Sequence, residues 1–306
     1  MDETRRTQVE LTAKPSLPAL FARAAVPSRG RPQELPATQL VRRGVRVAVE
    51  DLAAYSRVCG FDLSGRLPSP YLHVLTFPLQ VALMADRSFP FPLPGLVHVA
   101  NTTSQHRAVG LDEELTLAVH AEGLRRHPKG AVVDLVGRVD ASTGHGVAGT
   151  VWTGRSTYLS NGASAPEGGD PAPPPADGDH LVGATPSARW RIAGATGRRY
   201  AAVSGDVNPI HLNPLAAKAF GFPRAIAHGM WTYARTLAWL GSSVPAAHTA
   251  SVKFSRPVLL PSTVDVHEGR SDGGWSVELR PGGRRSGETG RDGNPVRHLR
   301  AHVRPH

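Results

Sequence analysis

Tyr200-Ala-Ala-Val-Ser-Gly-Asp206-Val-Asn208-Pro209-Ile-His211, followed by Gly221-Phe-Pro-Arg-Ala-Ile-Ala-His228-Gly229-Met230, is the stretch that decides how the rest of the chain is read. In the first block Asp206, Asn208 and His211 crowd around a proline-fixed turn. A strand would alternate such side chains between two faces, whereas a turn can aim them into one space. Asp-x-Asn-Pro is also turn chemistry in its own right, so the same residues fit a capped turn before a helix over Pro214 to Phe220, with His211 incidental. The second block leads into an apolar stretch, Ala225 to Leu240, where Ile226, Met230, Tyr233, Leu237 and Leu240 recur at helical spacing. Near the start of that helix, Gly229 leaves a backbone N–H unshielded by a side chain. Such an amide, helped by the helix dipole, can stabilise a thioester oxyanion. On propensity alone it is only a weak first turn.

Working outward, the front of the chain carries a faint copy of the back. Tyr55-Ser-Arg-Val-Cys59-Gly60 matches Tyr200 to Gly205, Leu67 to His73 matches Phe222 to His228, and Arg107-Ala-Val109 matches Arg256-Pro-Val258. The three matches run in order at offsets of about 150 residues, which points to two copies of one unit. In each copy an apolar helical stretch comes first, Tyr71 to Ala85 in front and Ala225 to Leu240 behind. Strand-like segments follow: Val97 to Thr103, Leu115 to His120, Ala131 to Val139 and Val147 to Leu159 in front. Behind they are Thr249 to Phe254, Val264 to Glu268, Trp275 to Leu279 and Val296 to Val303. A long helix followed by an antiparallel sheet is an α+β unit. Trp231 and Trp239 on the back helix read as core. The division expected is an extended lead-in over 1–45, a degenerate front unit over 46–160, a linker over 161–180 rich in Ala, Gly, Pro and Ser, and a catalytic unit over 181–306.

Together the two quoted blocks resemble the MaoC-like family, which includes the (R)-specific enoyl-CoA hydratases and the hydratase 2 enzymes. The likeness is specific from Tyr200 through Met230 and weaker over about 185–305. With its degenerate front copy, the chain resembles the two-lobed 3-hydroxyacyl-thioester dehydratases. The resemblance implies a double hotdog, two long central helices each wrapped by a curved antiparallel sheet. It implies that Asp206 and His211 hold a catalytic water, that Asn208 supports the pair and that Gly229 is the oxyanion donor. It also implies acyl chains on CoA or on acyl carrier protein as substrates, no cofactor and no metal, and is compatible with a homodimer. The function expected is that of a (3R)-hydroxyacyl-thioester dehydratase or enoyl-thioester hydratase of fatty-acid metabolism. A non-catalytic acyl-thioester-binding partner subunit and a dehydratase of polyketide-type biosynthesis are the alternatives. The front copy lacks the Asp-x-Asn-Pro-x-His block and has Val74 where the back copy has Gly229, so one site per chain is expected.

Charge and composition narrow the partners. The net charge is +10 and almost all of it is arginine, with Lys only at 14, 129, 218 and 253. The Arg pairs are scattered rather than gathered into a basic run, which argues against nucleic acid. Arg198 and Arg199, before the motif loop, and Arg224, before the back helix, are the candidates for contacting substrate phosphates, with His228 beside them at the substrate. No His spacing resembles a metal site, and Gly194-Ala-Thr-Gly197 reads as an ordinary turn rather than a nucleotide loop. The lone cysteine, Cys59, excludes an intramolecular disulfide. With no apolar run long enough to span a bilayer and no signal-like start, a cytoplasmic protein without membrane partners is expected.

Overall fold

Pro68 and Pro70 open the central helix of the front half, Ser69–Ala85, where a missing N–H costs nothing and a fixed φ favours helix. Its residues are apolar on nearly every side and nearly all are buried, as a helix without a polar face must be. In the computed structural model, residues 6–24, 30–142, 149–165, 181, 183–271, 273–291 and 293–306 are described. They fall into two compact units. One holds the residues up to Ala53 and from Ser64 to 165; the other holds Ala54–Leu63 and the residues from 181 onward. Most of the expected linker, 166–180, lies outside the described residues.

The front unit contains β1 (Thr7–Glu10), α1 (Leu17–Ala24), β2 (Thr38–Val45), the start of α2 (Val49–Cys59) as far as Ala53, α3 (Ser69–Ala85), β3 (Leu96–Gln105), β4 (Glu114–His127), β5 (Gly130–Ser142) and β6 (Gly149–Asn161). Its strands lie in the order β1-β2-β4-β5-β6-β3, antiparallel except for the β1–β2 pair. Helix α3 packs on β4 and β5. Residues 38–45, inside the segment read as a lead-in, are a strand of this sheet. Arg42 and Arg43 interrupt its alternation and hid it, while Leu40, Val41 and Val45 are buried. Trp152 on β6 is fully buried, and its Nε1–H donates to Ser69 Oγ at the start of α3 (2.9 Å), which fixes the helix on the sheet.

Polar rings are buried in this unit as well. His73 of α3 stacks on His98 of β3 (5.9 Å between centroids), and His98 stacks on Tyr158 of β6 (4.7 Å). Burial disfavours the imidazolium and pushes His73 down to about 4 and His98 to about 3. A histidine whose folded value lies below its unfolded 6.5 contributes stability that is full above that value and is lost as pH falls toward the folded one. Each such histidine adds up to about 1.4 kcal/mol of lost stability per pH unit in that window. Melting temperature is therefore expected to fall from pH 6.5 to 4.5, and to fall less steeply in His73→Gln. Parallel pH curves for the two proteins would refute this.

The back unit contains β7 (Ala188–Ile192), α4 (Thr196–Ser204), α5 (Pro209–Leu212), α6 (Pro214–Ala219), α7 (Gly229–Leu240), β8 (His248–Phe254), β9 (Ser262–Ser271), β10 (Gly274–Pro281) and β11 (Leu299–Pro305), in the sheet order β8-β11-β10-β9-β7. All of these neighbours are antiparallel. The fold is thus the expected double hotdog of α+β class, one long helix and one antiparallel sheet in each unit. Three details differ from the sequence reading. Helix α7 starts at Gly229, not at Ala225, because the peptides of 225–227 pair with 258–260: Ala227 N–H donates to Val258 O and Leu260 N–H to Ala225 O, both at 2.8 Å. Strand β7 has only one half-covered face, too weak a pattern to read. Trp231 is buried, but Trp239 is 37% exposed and donates to Glu268 instead of joining the core.

Part of the arginine excess is structural. Glu278 of β10 is fully buried and takes Arg280 (2.7 Å), Arg297 (2.6 Å) and Arg300 (2.8 Å), which hold its carboxyl below the usual range against the cost of burial. Among the described residues no helix is long and apolar enough to cross a membrane.

Candidate active site

Helix α4 ends in a left-handed turn at Gly205 (φ 75°), whose N–H bonds back to Ala201 O, and this turn delivers the chain to Asp206. Ser204 Oγ accepts the Asp206 N–H (3.2 Å) while its own hydroxyl donates to Tyr200 O (2.9 Å). Asp206 Oδ1 in turn accepts the Asn208 N–H at 3.2 Å. Asn208 then caps α5, its Oδ1 accepting from Ile210 N–H (3.4 Å), with Pro209 in the first turn. The cap and the proline start a one-turn helix, and that turn presents His211. Gly197 of α4 lies directly against it: a Cβ there would sit 2.1 Å from the His211 carbonyl oxygen, so only glycine lets α4 and α5 approach this closely.

His211 Nδ1 lies 2.9 Å from Ile226 O. A carbonyl can only accept, so Nδ1 carries the proton and Nε2 is left with a free lone pair. The same logic fixes His228, whose Nε2 lies 3.0 Å from the main-chain oxygen of Asp206 and donates to it. The two imidazoles are stacked, 3.7 Å between centroids at 27°, and Tyr200 covers the group with its ring 4.9 Å from His228. His228 Nε2 is also 3.8 Å from Asp206 Oδ2. His228 is 2% exposed and its Nδ1 is buried without a partner.

Desolvation dominates the electrostatics. It raises the Asp206 carboxyl above its ordinary value, opposed by His211 and by the Asn208 amide. The Asp206 side chain keeps 23% of its surface open, but protein crowds it on the other sides, which is why burial still wins. His211 is lowered by burial and partly restored by Asp206, and His228 is lowered well below the ordinary range by burial and by His211. Lowered from a value already below neutrality, both imidazoles are uncharged near neutral pH.

Gly229 is the first residue of α7. His228 before it is extended (φ −63°, ψ 134°), and the first turn of the helix contains no acid to neutralise its positive end. The amide of a first helical residue has no carbonyl one turn earlier to bond, so it is available to a ligand. A Cβ on Gly229 would lie 3.1–3.2 Å from the Phe254 ring, so the position is also sterically tight.

The remaining candidates are placed less centrally. The Asn208 side chain caps α5, and it is the Asn208 main-chain N–H that reaches Asp206. Arg198 and Arg199 are exposed, and Arg198 reaches the Leu212 carbonyl (3.4 Å). Arg224 is exposed and lines a separate groove. His228, expected at the substrate, is buried under His211 instead. Asp206, His211 and His228 bring ligand-type atoms within 4.8 Å of one another, but a cation held by all three through their facing atoms would strip His228 Nε2 of the proton it gives to Asp206 O. Tyr200, the Ser204 hydroxyl and the Ile226 carbonyl were not singled out by the sequence reading. Only Tyr200 left a trace there, as the counterpart of Tyr55, whose ring lies 6.3 Å from it.

The model of the MaoC like domain matches residues 182–277. The chain is 40% identical over 259 residues to 3-hydroxyacyl-thioester dehydratase X of Mycobacterium tuberculosis, covering 85% of this chain and 90% of that one. The crystal structure of HtdX from that organism superposes with a TM-score of 0.72 at 36% identity, over 88% of this chain and 100% of the other. A MaoC-like dehydratase from Phytophthora capsici, at 17% identity, has the same fold with a TM-score of 0.63, over 89% of this chain and 96% of that one.

Proposed function

Because the chain belongs to the MaoC-like dehydratase family, we propose that Asp206 and His211 are the acid–base pair with which it adds water to, or removes it from, the 2,3 bond of an acyl thioester. The chain is a hydro-lyase of the 3-hydroxyacyl-thioester dehydratase kind. The observation that carries the assignment of residues is the convergence of an ionisable carboxyl and the free Nε2 of a neutral imidazole ahead of an unshielded helix-start amide at Gly229. In hydration, water held by the pair attacks C3 and gives a proton to it, and the pair returns a proton to C2. H and OH are thereby added across the double bond. Dehydration runs the same steps backwards. In both directions negative charge gathers on the thioester oxygen, where the Gly229 N–H and the α7 dipole oppose it. His228 acts as a positioning residue, since it stacks on His211 and ties down the Asp206 main chain. Acyl groups on CoA or on acyl carrier protein are the substrates, and the lone buried Cys59 suits the reducing cytoplasm.

The test is direct. Crotonyl thioesters lose the absorbance of their conjugated double bond on hydration. Mixing crotonyl-CoA with the protein should bleach it, and (3R)-3-hydroxybutyryl-CoA should regenerate the same absorbance while the (3S) isomer does not. A folded protein that leaves both CoA and carrier-protein thioesters unchanged would overturn the reading in favour of a non-catalytic acyl-binding subunit.

A further inference from the structure

Leu215 on α6 and Phe220 at its C-terminal cap are 74% and 49% exposed among the described residues. Leu215 is the most open large apolar side chain of those residues. Lone apolar residues on a surface need no explanation. Two on one firmly held corner differ. Asn213 Oδ1 caps α6 by accepting from Leu215 N–H (2.7 Å) and Ala216 N–H (3.3 Å). Ala217 is fully buried beneath the helix, and Phe222 N–H returns to Ala217 O (2.9 Å) through the left-handed turn at Gly221 (φ 84°). The backbone therefore holds both side chains outward; they are not exposed by fraying. The charges around them have one sign. Lys218 lies one turn after Leu215 on the same side of α6. Arg198 reaches the Leu212 carbonyl (3.4 Å), just before α6, and Arg199 is exposed beside it in sequence. From 193 to 224 the only acid is Asp206, which belongs to the site with His211 and His228.

We propose that this corner docks the protein on an anionic membrane surface, with Leu215 and Phe220 entering the headgroup layer and Arg198, Arg199 and Lys218 meeting lipid phosphates. Apolar side chains gain by leaving water at the boundary between headgroups and acyl chains, and basic ones gain from the negative surface potential of acidic lipids. Lys and Arg do both, laying their carbon stems on the apolar layer while the charged ends stay among the headgroups. What selects lipid over other apolar partners is this pairing of apolar tips with a rim of uniform positive charge. A second copy of the chain seated on its own corner would set like charges against each other. The net charge of +10 favours the same approach at long range. Such a contact needs no membrane-spanning helix, and none is present among the described residues. It departs from the expectation of no membrane partner, which rested on spanning and signal segments alone. The docking is independent of the thioester reading, although α5, which presents His211, immediately precedes α6.

The test is flotation of the full chain with vesicles of equal parts phosphatidylglycerol and phosphatidylcholine, against vesicles of phosphatidylcholine alone. The wild type should partition into the anionic vesicles at least about tenfold more strongly than into the neutral ones. High salt should release it, since exposed charges are screened beyond about 3 Å at 1 M. Leu215→Ser/Phe220→Ser and, separately, Lys218→Glu should each weaken partitioning at least about tenfold, through lost apolar contact in the first and reversed charge in the second. Both should melt close to the wild-type temperature, because every altered side chain is exposed. If the double variant does not fold, Lys218→Glu still decides. A wild type that ignores anionic vesicles would overturn the proposal. So would wild type and variants that bind them equally, which would place the contact on another face. Equal binding of the wild type to neutral vesicles would also overturn it, by removing the cationic rim from the contact. A wild-type dimer that Leu215→Ser/Phe220→Ser splits, with no vesicle binding, would overturn it in favour of an interface between copies. The assay contains no thioester, so its result stands whether or not the protein turns over crotonyl-CoA.

Discussion

Asp206→Asn should lower kcat/KM for a crotonyl thioester by at least about 10²-fold, the scale of one positioned acid–base group. It should do so without lowering the melting temperature. The sign follows from the environment of the carboxyl. Burial raises Asp206 above its unfolded value, so its contribution to stability is full below the unfolded pKa and is lost as pH rises through the folded one. At neutral pH the buried carboxyl is therefore a burden on the fold, and a neutral amide of the same shape relieves it. The Asn208 N–H can still bond the amide oxygen. His211→Ala should be as damaging to turnover, but it should also cost stability, because Ile226 O loses its donor and the His228 ring loses its stacking face. Near-normal turnover in a folded Asp206→Asn protein would remove Asp206 from the mechanism.

Gly229→Pro and Gly229→Ala, compared with each other, should separate the amide from the space around it. Both substitutions add a Cβ against the Phe254 ring at 3.1–3.2 Å, so both share that part of the steric penalty. Only proline removes the N–H. The position can accept it, since a first helical residue makes no intrahelical N–H bond and proline is favoured there. The preceding His228 already has the extended conformation that a following proline demands. Losing one oxyanion donor typically costs about 2.7–4 kcal/mol, or about 10²–10³-fold in kcat. The proline variant is therefore expected to fall below the alanine variant by that factor in kcat while melting at a similar temperature. Equal rates for the two would show that the Gly229 amide does not meet the reacting oxygen.

How far the site could be read from the chain depends on how local each relationship is. Asp206, Asn208 and His211 lie within one turn and its cap, so hydrogen bonds to near neighbours dictate their arrangement and the motif shows it. His228 was visible as a residue but misplaced, because its surroundings, the Asp206 carbonyl below and the His211 ring above, come from a segment far from it along the chain. The Ile226 carbonyl that sets the His211 tautomer carried no signal, since any residue supplies a carbonyl. Gly197 looked like an ordinary turn glycine until α5 was seen lying against it. The start of α7 was missed by four residues because Ile226 and Met230 share helical spacing by coincidence, while main-chain pairing with 258–260 holds 225–227 extended.

The sequence by itself determined the two-unit α+β plan, the long apolar helices and most of the strands, because burial requires an apolar period that the chain must carry residue by residue. It also determined the local motif turn, because caps and prolines act within a few residues. Only the tertiary structure decided which arginines are balanced and which are not. Arg280, Arg297 and Arg300 meet Glu278, Arg189 meets Asp265, and among the described residues Arg224, Arg256 and Arg284 come together without such a partner. A charge carries no periodicity that announces its partner, and the partner is set by strand register and loop packing between residues distant in the chain.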